Sequence, residues 1–472
     1  MILAESRERR RFIDTQGRLP PLWPRGTIFF ANLLSLFFGN SDQTRVLGEE
    51  VGELDSYSNR LIPILNLLFA GPDNLLVVER APDPELCRYM RDELGLSLPE
   101  ICVLTHEEYL DLGRQLETHP DSSLSELLPA GHPLARAVNA HSNHWIDGYV
   151  IDDILPRIAD RLGCPTISST QASQAGNNKL LLHQFLLTQD LPTVATEIAN
   201  QPGDVVDCAV RLRDQGYSAA VVRAQVGASG VGMLKLHDLS QPDVLTQAPE
   251  YFFHEGPCLV QGWLGPGVQG VTAVLSPSTQ LFLDETQVHA FDMTEQILSD
   301  HSVHEGNESP PPYLKKRPEI RAETMRQAEI VGGWLHETGY RGTASIDWLV
   351  IQRAADTDWE VYVCEINARV TGATYPSLLA KHFHPEGAWL LRNLRLSQPV
   401  TAAALLDVFA TKDHLFQLGK RAGVLPLNFN FGKDGLVHKG QFICVGKDTQ
   451  ECHRFLALAE QDLPGGWKAD RD

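Results

Sequence analysis

Gly342-Thr-Ala-Ser-Ile-Asp347-Trp-Leu-Val350 and Val361-Tyr-Val-Cys-Glu365-Ile-Asn367-Ala-Arg369 decide how this chain is read. Both runs are rich in β-branched and aromatic residues with a polar stretch between them, so the pattern predicts strands over Ala344 to Ile351 and Glu360 to Ile366, joined as a hairpin. A simple hairpin centred on Asp356 sets Asp347, nine positions before it, opposite Glu365, nine positions after it. Directly opposed side chains start about 4.5–5.5 Å apart, where like charges destabilise a sheet. A divalent cation removes that conflict. Strand side chains alternate, so Asn367 shares the face of Glu365 and adds a neutral oxygen, while Arg369 continues that face with a planar donor fork for an oxyanion. Two carboxylates and an amide oxygen suit hard Mg²⁺, which keeps several waters and is commonly shared with nucleotide phosphates. Isolated acid pairs more often face water; here Ile346, Trp348, Val361 and Val363 argue burial, and an unpaired buried carboxylate is costly.

Upstream, Ala219 to Gln225 and Met233 to Leu236 read as strands flanking Val226-Gly-Ala-Ser-Gly-Val-Gly232. In that hairpin turn Gly227, Gly230 and Gly232 clear side chains from the backbone N–H groups and Ser229 adds a hydroxyl, an arrangement able to approach phosphates. Such turns are usually plain connections, and this one lacks the G-x-x-x-x-G-K-S/T spacing of a P-loop. Its neighbours point to an anion: Arg223 stands in an otherwise apolar strand, and Lys179 occupies the first turn of a helix over 177–190, where a cation opposes the helix dipole. That helix is expected to turn Leu180, Leu181, Phe185 and Leu187 inward. Cys258-Leu-Val-Gln261-Gly-Trp-Leu264 is an apolar strand running into a break, suited to presenting backbone donors and acceptors to a flat heterocycle.

The chain has 472 residues, 43% hydrophobic and 21% charged, with 40 Lys plus Arg against 60 Asp plus Glu and a net charge of -20. That length suggests roughly three domains at ~150 residues each. The negative charge argues against nucleic acid and anionic membrane surfaces as partners. The start is charged where a secretory signal needs an apolar core, so the cytoplasm is the expected compartment. The most apolar run, Thr27 to Phe38, falls short of the ~20 residues of a spanning helix and reads as a buried strand and helix start. Eight cysteines without a C-x-x-C pair read as reduced, mostly buried thiols. From about 26 to 165, strands alternate with helices: Asn74–Glu79, a helix from Asp83 to Leu94, Glu100–Leu104, a helix from Asp153 to Leu162, and a short strand at Thr166. Ser299 to Pro312 reads as a long surface loop and a candidate lid. A helix over Glu319 to Leu335 follows. From 401 onward, basic and acidic residues balance, which marks a third, smaller unit.

These pieces in this order resemble an ATP-grasp ligase over about residues 166 to 400, and the preceding unit resembles the pre-ATP-grasp domain of that superfamily. The ending, with Gly423-Val-Leu, Gly435-Leu-Val-His438 and Phe442-Ile-Cys-Val-Gly446 before a closing helix, is similar to the C-terminal domain of pheganomycin-type peptide ligases. The resemblance implies an α/β and α+β architecture: a pre-ATP-grasp α/β domain over 1–165, an ATP-grasp fold over 166–400 and a small α+β domain over 401–472. It also implies ATP between two lobes, with Lys179 and Arg223 at the phosphates and Gly227, Ser229 and Gly230 in a covering loop. Adenine would lie against Gln261, Gly262 and Leu264. Asp347, Glu365 and Asn367 would hold Mg²⁺ or Mn²⁺. Arg223 stands where that family usually has Lys, and Gln261 stands near the usual position of an acid.

The implied reaction joins a small-molecule carboxylate to an amine or peptide through an acyl phosphate, releasing ADP and phosphate. Arg369 would act at the acyl-transfer step, with Gln296, Thr371 and Gly372 at the substrates. A homo-oligomer is left open. Lys412, Lys420, Arg421, Lys433, Lys439 and Lys447 could receive a peptide carboxylate or form an ordinary solvated face. Two other readings stand beside the ligase: different ATP-grasp chemistry, either a carboxylate–thiol ligase or a kinase, and an ATP-binding regulatory protein without turnover.

Overall fold

The computed structural model describes residues 11–51, 57–71, 73–141, 144–241, 247–298, 304–354 and 358–469. Thr27–Phe30, Leu75–Val78, Glu100–Val103 and Trp145–Gly148 form a parallel sheet in the spatial order 100–103, 75–78, 27–30, 145–148. The first two strands are buried along their whole length, as parallel strands under helices must be. Where the strand order reverses, Asn32 plugs the crevice: its Oδ1 accepts from Tyr149 N at 2.9 Å and its Nδ2 donates to the Val150 carbonyl at 3.0 Å. Asp83 caps the next helix through Leu86 N, and Leu86, Tyr89, Met90 and Leu94 are buried, as their spacing predicts. Ile154–Leu162 ends on Gly163 at φ 65°. Thr166 makes an isolated bridge to Ile146 in place of the expected strand.

A second, antiparallel sheet runs in the order Thr196–Ala199, Cys258–Gly262, Ala220–Ala228, Val231–Leu236. The expected seven-residue turn is tighter than its glycines suggest. Val226 to Ala228 and Val231 to Gly232 belong to the strands, and the reversal falls on Ser229 and Gly230, with φ of 54° and 87°. Two consecutive positive φ values match the twist of a hairpin.

The largest sheet has eleven strands, eight of them in the order Val271–Leu275, Gly342–Arg353, Pro277–Leu283, Gln287–Leu298, His304–Ser309, Ala388–Val400, Val437–Gly446, Gly423–Phe431. Trp359–Asn367 pairs on Gly342–Arg353. The helix Pro318–Glu337 packs on this sheet, where the buried Gln327 donates to the Val361 carbonyl at 3.1 Å. The C-terminal strands share one apolar core with the N-terminal unit, and Tyr89 Oη donates to the Phe416 carbonyl at 2.6 Å.

Two local expectations fail here. In the helix Lys179–Thr188 the buried residues are Leu182 and Leu186, whereas Leu181 and Leu187 are 42% and 55% exposed. The helix is apolar nearly all round, so its neighbours choose the buried face. The expected surface loop over 299–312 is also corrected. Residues 304–309 form a strand paired on both edges, with Gln287–Leu298 and Ala388–Val400, which removes that part from any lid; 299–303 lie outside the described residues. Gly306 makes the pairing possible, because a Cβ there would lie 2.0 Å from the Leu391 carbonyl oxygen. A backbone oxygen cannot yield as a side chain can. Gly306→Ala is expected to destabilise the chain by about 3 kcal/mol or more, read as a lowered urea midpoint or loss of soluble protein. An unchanged midpoint would show that these strands separate without cost.

Candidate active site

Asp347 and Glu365 are register partners, as the hairpin reading predicts, and Ser345 faces Asn367. The register slips by one residue just beyond, between Asp347 and Trp348, leaving Cys364 as the bulged residue. A bulge re-aims its strand. The Cys364 carbonyl accepts from Arg223 Nη1 at 3.0 Å, and Arg223 lies on the smaller antiparallel sheet. On the other side of Asp347, its register partner Ser278 donates from Oγ to Oδ1 at 2.6 Å, and Gln280 Nε2 donates to that Oγ at 2.9 Å. Asn367 Nδ2 donates to Asp347 Oδ2 at 2.8 Å.

Glu365 Oε2 takes two cations, Lys179 Nζ at 3.3 Å and Arg223 Nη2 at 2.5 Å. Lys179 also donates to the Gly227 carbonyl at 3.2 Å, which ties it to the glycine hairpin. Asn178 caps the Lys179 helix through Leu180 N and Leu181 N, and its Nδ2 donates to Gln225 Oε1 at 2.7 Å. Gln261 is fixed in one orientation. Thr196 Oγ1, which donates to the Val194 carbonyl, accepts from Gln261 Nε2 at 3.0 Å, and Gln261 Oε1 accepts from Arg223 Nη1 at 3.2 Å. The Gln261 side chain therefore braces Arg223.

These groups surround one cavity of about 530 Å³ between the two antiparallel sheets. Its wall includes Lys179, Arg223, Gly227, Ser229, Gly230, Gln261, Gly262, Leu264, Gln296, Asp347 and Glu365, eleven of the fifteen residues expected at a site. Asn367, Arg369, Thr371 and Gly372 are not part of that wall. Arg369 Nη1 donates to Asn367 Oδ1 and, at 3.3 Å, to Asn177 Oδ1. Thr371 Oγ1 donates to Gln280 Oε1 at 3.3 Å, linking this turn back to Ser278 and Asp347. Gly372 runs close under His304, whose Cε1 would be 3.2 Å from a Cβ there. The basic C-terminal face is dispersed by pairing: Lys412 meets Asp462 at 3.2 Å, Lys420 meets Asp413 at 2.6 Å, and Lys439 is buried.

The two acids titrate in opposite directions. Burial, then the charge of Glu365, pushes Asp347 up, while Lys179, Arg223 and Arg369 outweigh burial and hold Glu365 down. A third acid, Glu255, is reached by the charge of Lys179, and neither carboxylate oxygen has a hydrogen-bond partner among the described residues. Burial pushes its carboxyl from 4.5 to about 7, with Lys179 pulling the other way. A carboxyl raised in the folded state holds its proton when the unfolded chain has released it, so its cost grows from about pH 4.5 and is complete above about pH 7. Glu255→Gln is therefore expected to add about 2 kcal/mol of stability at pH 8, discounted for the water that reaches the group, and nothing near pH 4. Denaturant midpoints at both pH values test this; equal gains at both would remove the titration from the account.

Sequence reasoning missed Asn177, Asn178, Gln225, Ser278 and Gln280. Asn178 had a signal, an N-capping residue before an apolar run. Asn177 had none. Buried to 7% exposure, it clamps the Ala368 backbone, accepting from its N–H and donating to its carbonyl at 3.2 Å each, while holding Arg369.

No protein-family model matches the chain. The butirosin acyl-carrier-protein–L-glutamate ligase of Niallia circulans is 30% identical over 167 residues, 35% of this chain and 36% of that protein. The chain thus matches about a third of the length of this curated relative. Biotin carboxylase from Campylobacter jejuni, solved with β,γ-ATP, superposes with a TM-score of 0.54 at 12% identity, over 94% of this chain and 92% of that one. The biotin carboxylase domain of 2-oxoglutarate carboxylase from Hydrogenobacter thermophilus, solved with MgADP and bicarbonate, gives 0.53 at 12% identity, over 95% and 92%. The chain has the ATP-grasp fold. The smaller antiparallel sheet with its glycine hairpin and the large sheet with its acid pair both contribute residues to the cavity wall. No helix among the described residues is long and apolar enough to cross a membrane.

Proposed function

We propose that the chain is an ATP-dependent carboxylate–amine ligase. The observation that carries the reading is the Asp347–Glu365 register pair, set on the same cavity wall as Lys179, Arg223 and the glycine hairpin, with Asn367 bonded to Asp347 but off that wall. The donor set fits a hard divalent ion: two carboxylates and an amide, all oxygen donors. Asp347, Glu365 and Asn367 would hold Mg²⁺ or Mn²⁺, which would supply neutralising charge beside the phosphates.

In this reading the Gln261–Leu264 segment receives adenine, and Lys179, Arg223 and the hairpin amides take the phosphates. A substrate carboxylate oxygen forms a bond to the γ-phosphorus as the bond to the β–γ bridging oxygen breaks, giving an acyl phosphate and ADP. Phosphoryl transfer asks for positioning and electrostatics, and this cluster of cations offers both. The amine nitrogen then attacks the acyl carbon, the C–O bond to phosphate breaks, and the nitrogen loses a proton. Arg369, held by Asn367 and Asn177, donates to the oxyanion that forms on the carbonyl oxygen.

The curated relative favours a second reading in which the acceptor is a group on a carrier protein, since its name couples glutamate to an acyl-carrier protein. Both readings share the acyl phosphate. Incubating the chain with ATP, Mg²⁺, hydroxylamine and a panel of amino acids and short peptides is expected to give ADP and a hydroxamate with at least one acid. Replacing hydroxylamine by amines or by a thiol-bearing carrier then separates the readings. No ADP from any acid would favour a nucleotide-binding regulator.

A further inference from the structure

The charge of the acid pair is already taken. Glu365 Oε2 receives both Lys179 and Arg223, and Arg369 reaches Asp347 through the Asn367 amide. Within this bonded cluster three cations thus stand against two carboxylates; Glu255, which the charge of Lys179 reaches, makes no hydrogen bond to any of them. The contacts are well enclosed, with side-chain exposures of 10% for Lys179, 11% for Arg223 and 23% for Glu365. A divalent cation arriving alone would meet a cluster that is net positive before it binds, where screening by water is weak. It would also have to displace two cations from the oxygen it needs. Among the described residues, no group of three His, Cys, Asp or Glu side chains offers a stronger cage.

A polyphosphate reverses the balance. Its oxygens satisfy both cations, and each cation has a second tether that lets it leave Glu365 without being lost from the site. Arg223 Nη1 is held by Gln261 Oε1 at 3.2 Å and the Cys364 carbonyl at 3.0 Å, so the guanidinium can pivot. Lys179 is held by the Gly227 carbonyl at 3.2 Å, so its release from Glu365 is linked to the glycine hairpin.

We propose that Lys179 and Arg223 gate the metal site, so that a divalent cation gains Glu365 only when a polyphosphate draws both side chains from it. This rests on the nucleotide reading above and adds to it a coupling between the two ligands. Linkage makes the coupling reciprocal: the factor by which nucleotide tightens the metal equals the factor by which the metal tightens nucleotide.

The test counts protein-bound Mn²⁺ by electron paramagnetic resonance and equilibrium dialysis, with Mn²⁺ alone, with ADP and with tripolyphosphate, allowing for complexes formed in solution. For the full chain, ADP or tripolyphosphate is expected to tighten Mn²⁺ by about tenfold or more, within the range of ordinary coupling. Lys179→Met and Arg223→Gln, made singly and checked for native denaturant midpoints, should bind Mn²⁺ alone more tightly and show a smaller coupling. Arg223→Lys, which keeps the charge, should preserve it. Equal Mn²⁺ affinity with and without polyphosphate, or a coupling unchanged in both charge-removing variants, overturns the gate. If tripolyphosphate tightens Mn²⁺ while ADP does not bind, the gate stands and the nucleotide reading falls.

Discussion

Glu365→Gln is expected to lower ADP release by about a thousandfold or more, the scale reached when a group that stabilises transition-state charge is removed from an enclosed site. Glutamine keeps the shape and one acceptor oxygen, so the change isolates the charge. Without it, Lys179 and Arg223 lose the carboxylate they share at 3.3 and 2.5 Å, and the acid pair loses half of its donor charge. Breaking a buried ion pair from one side costs about 3–5 kcal/mol, and the low end applies because the cavity admits water. Asp347→Asn should cost less stability. The Asp347 carboxyl is pushed up by burial and by Glu365, so a neutral amide is nearer to what its surroundings favour, although Ser278 Oγ would still need an acceptor. A coupled ADP assay and urea midpoints on both variants test the pair. Wild-type turnover in Glu365→Gln would remove the acid pair from the chemistry, and equal stability losses would contradict the asymmetry.

The acid pair was legible because a hairpin is a local object. Once Asp356 is taken as the centre, side-chain alternation and the apolar neighbours fix which residues face one another, and the observed register agrees from Ser345 to Asp347. The Cys364 bulge was not legible, because what it serves is a contact with Arg223, over a hundred residues away in sequence. The strand His304–Ser309 was missed for a similar reason. His-Glu-Gly-Asn-Glu-Ser is polar and runs into three prolines, which locally spells a loop, yet it is held by strands on both sides and by the absence of a side chain at Gly306. The helix carrying Lys179 was legible in extent but not in orientation, since leucines on most of its faces leave the choice to packing. The candidate site divides the same way. Charged residues singled out by type come together around one cavity, and the amides that brace them, Asn177, Gln225 and Gln280, were not singled out. A buried amide looks like any other until its partners are known.

The same division bears on the proposed acyl-transfer step. Arg369 lies outside the cavity wall formed by the other cations, and its Nη1 is fixed by two amides, Asn367 from the strand that carries Glu365 and Asn177 from the turn before Lys179. Its removal should therefore separate the two halves of the reaction. In Arg369→Met, affinity for ADP should change by no more than about threefold, because Lys179 and Arg223 remain, whereas hydroxamate formed per ADP released should fall by about a hundredfold, the scale of a lost oxyanion donor. The acyl phosphate would then be surrendered to water. Asn177→Ala should move the same ratio in the same direction by roughly tenfold, since Asn177 acts through Arg369, and in the double variant it should add little to the loss already caused by Arg369→Met, as expected of residues in one network. A merely structural role for Asn177 predicts a different pattern: a lowered denaturant midpoint, an unchanged ratio of hydroxamate to ADP, and independent effects in the double variant. If Arg369→Met lowers ADP release and hydroxamate equally, the guanidinium belongs to phosphoryl transfer, and the second half of the reaction must find its oxyanion donor elsewhere, the Thr371 N–H being already donated to Thr374 Oγ1 at 2.9 Å.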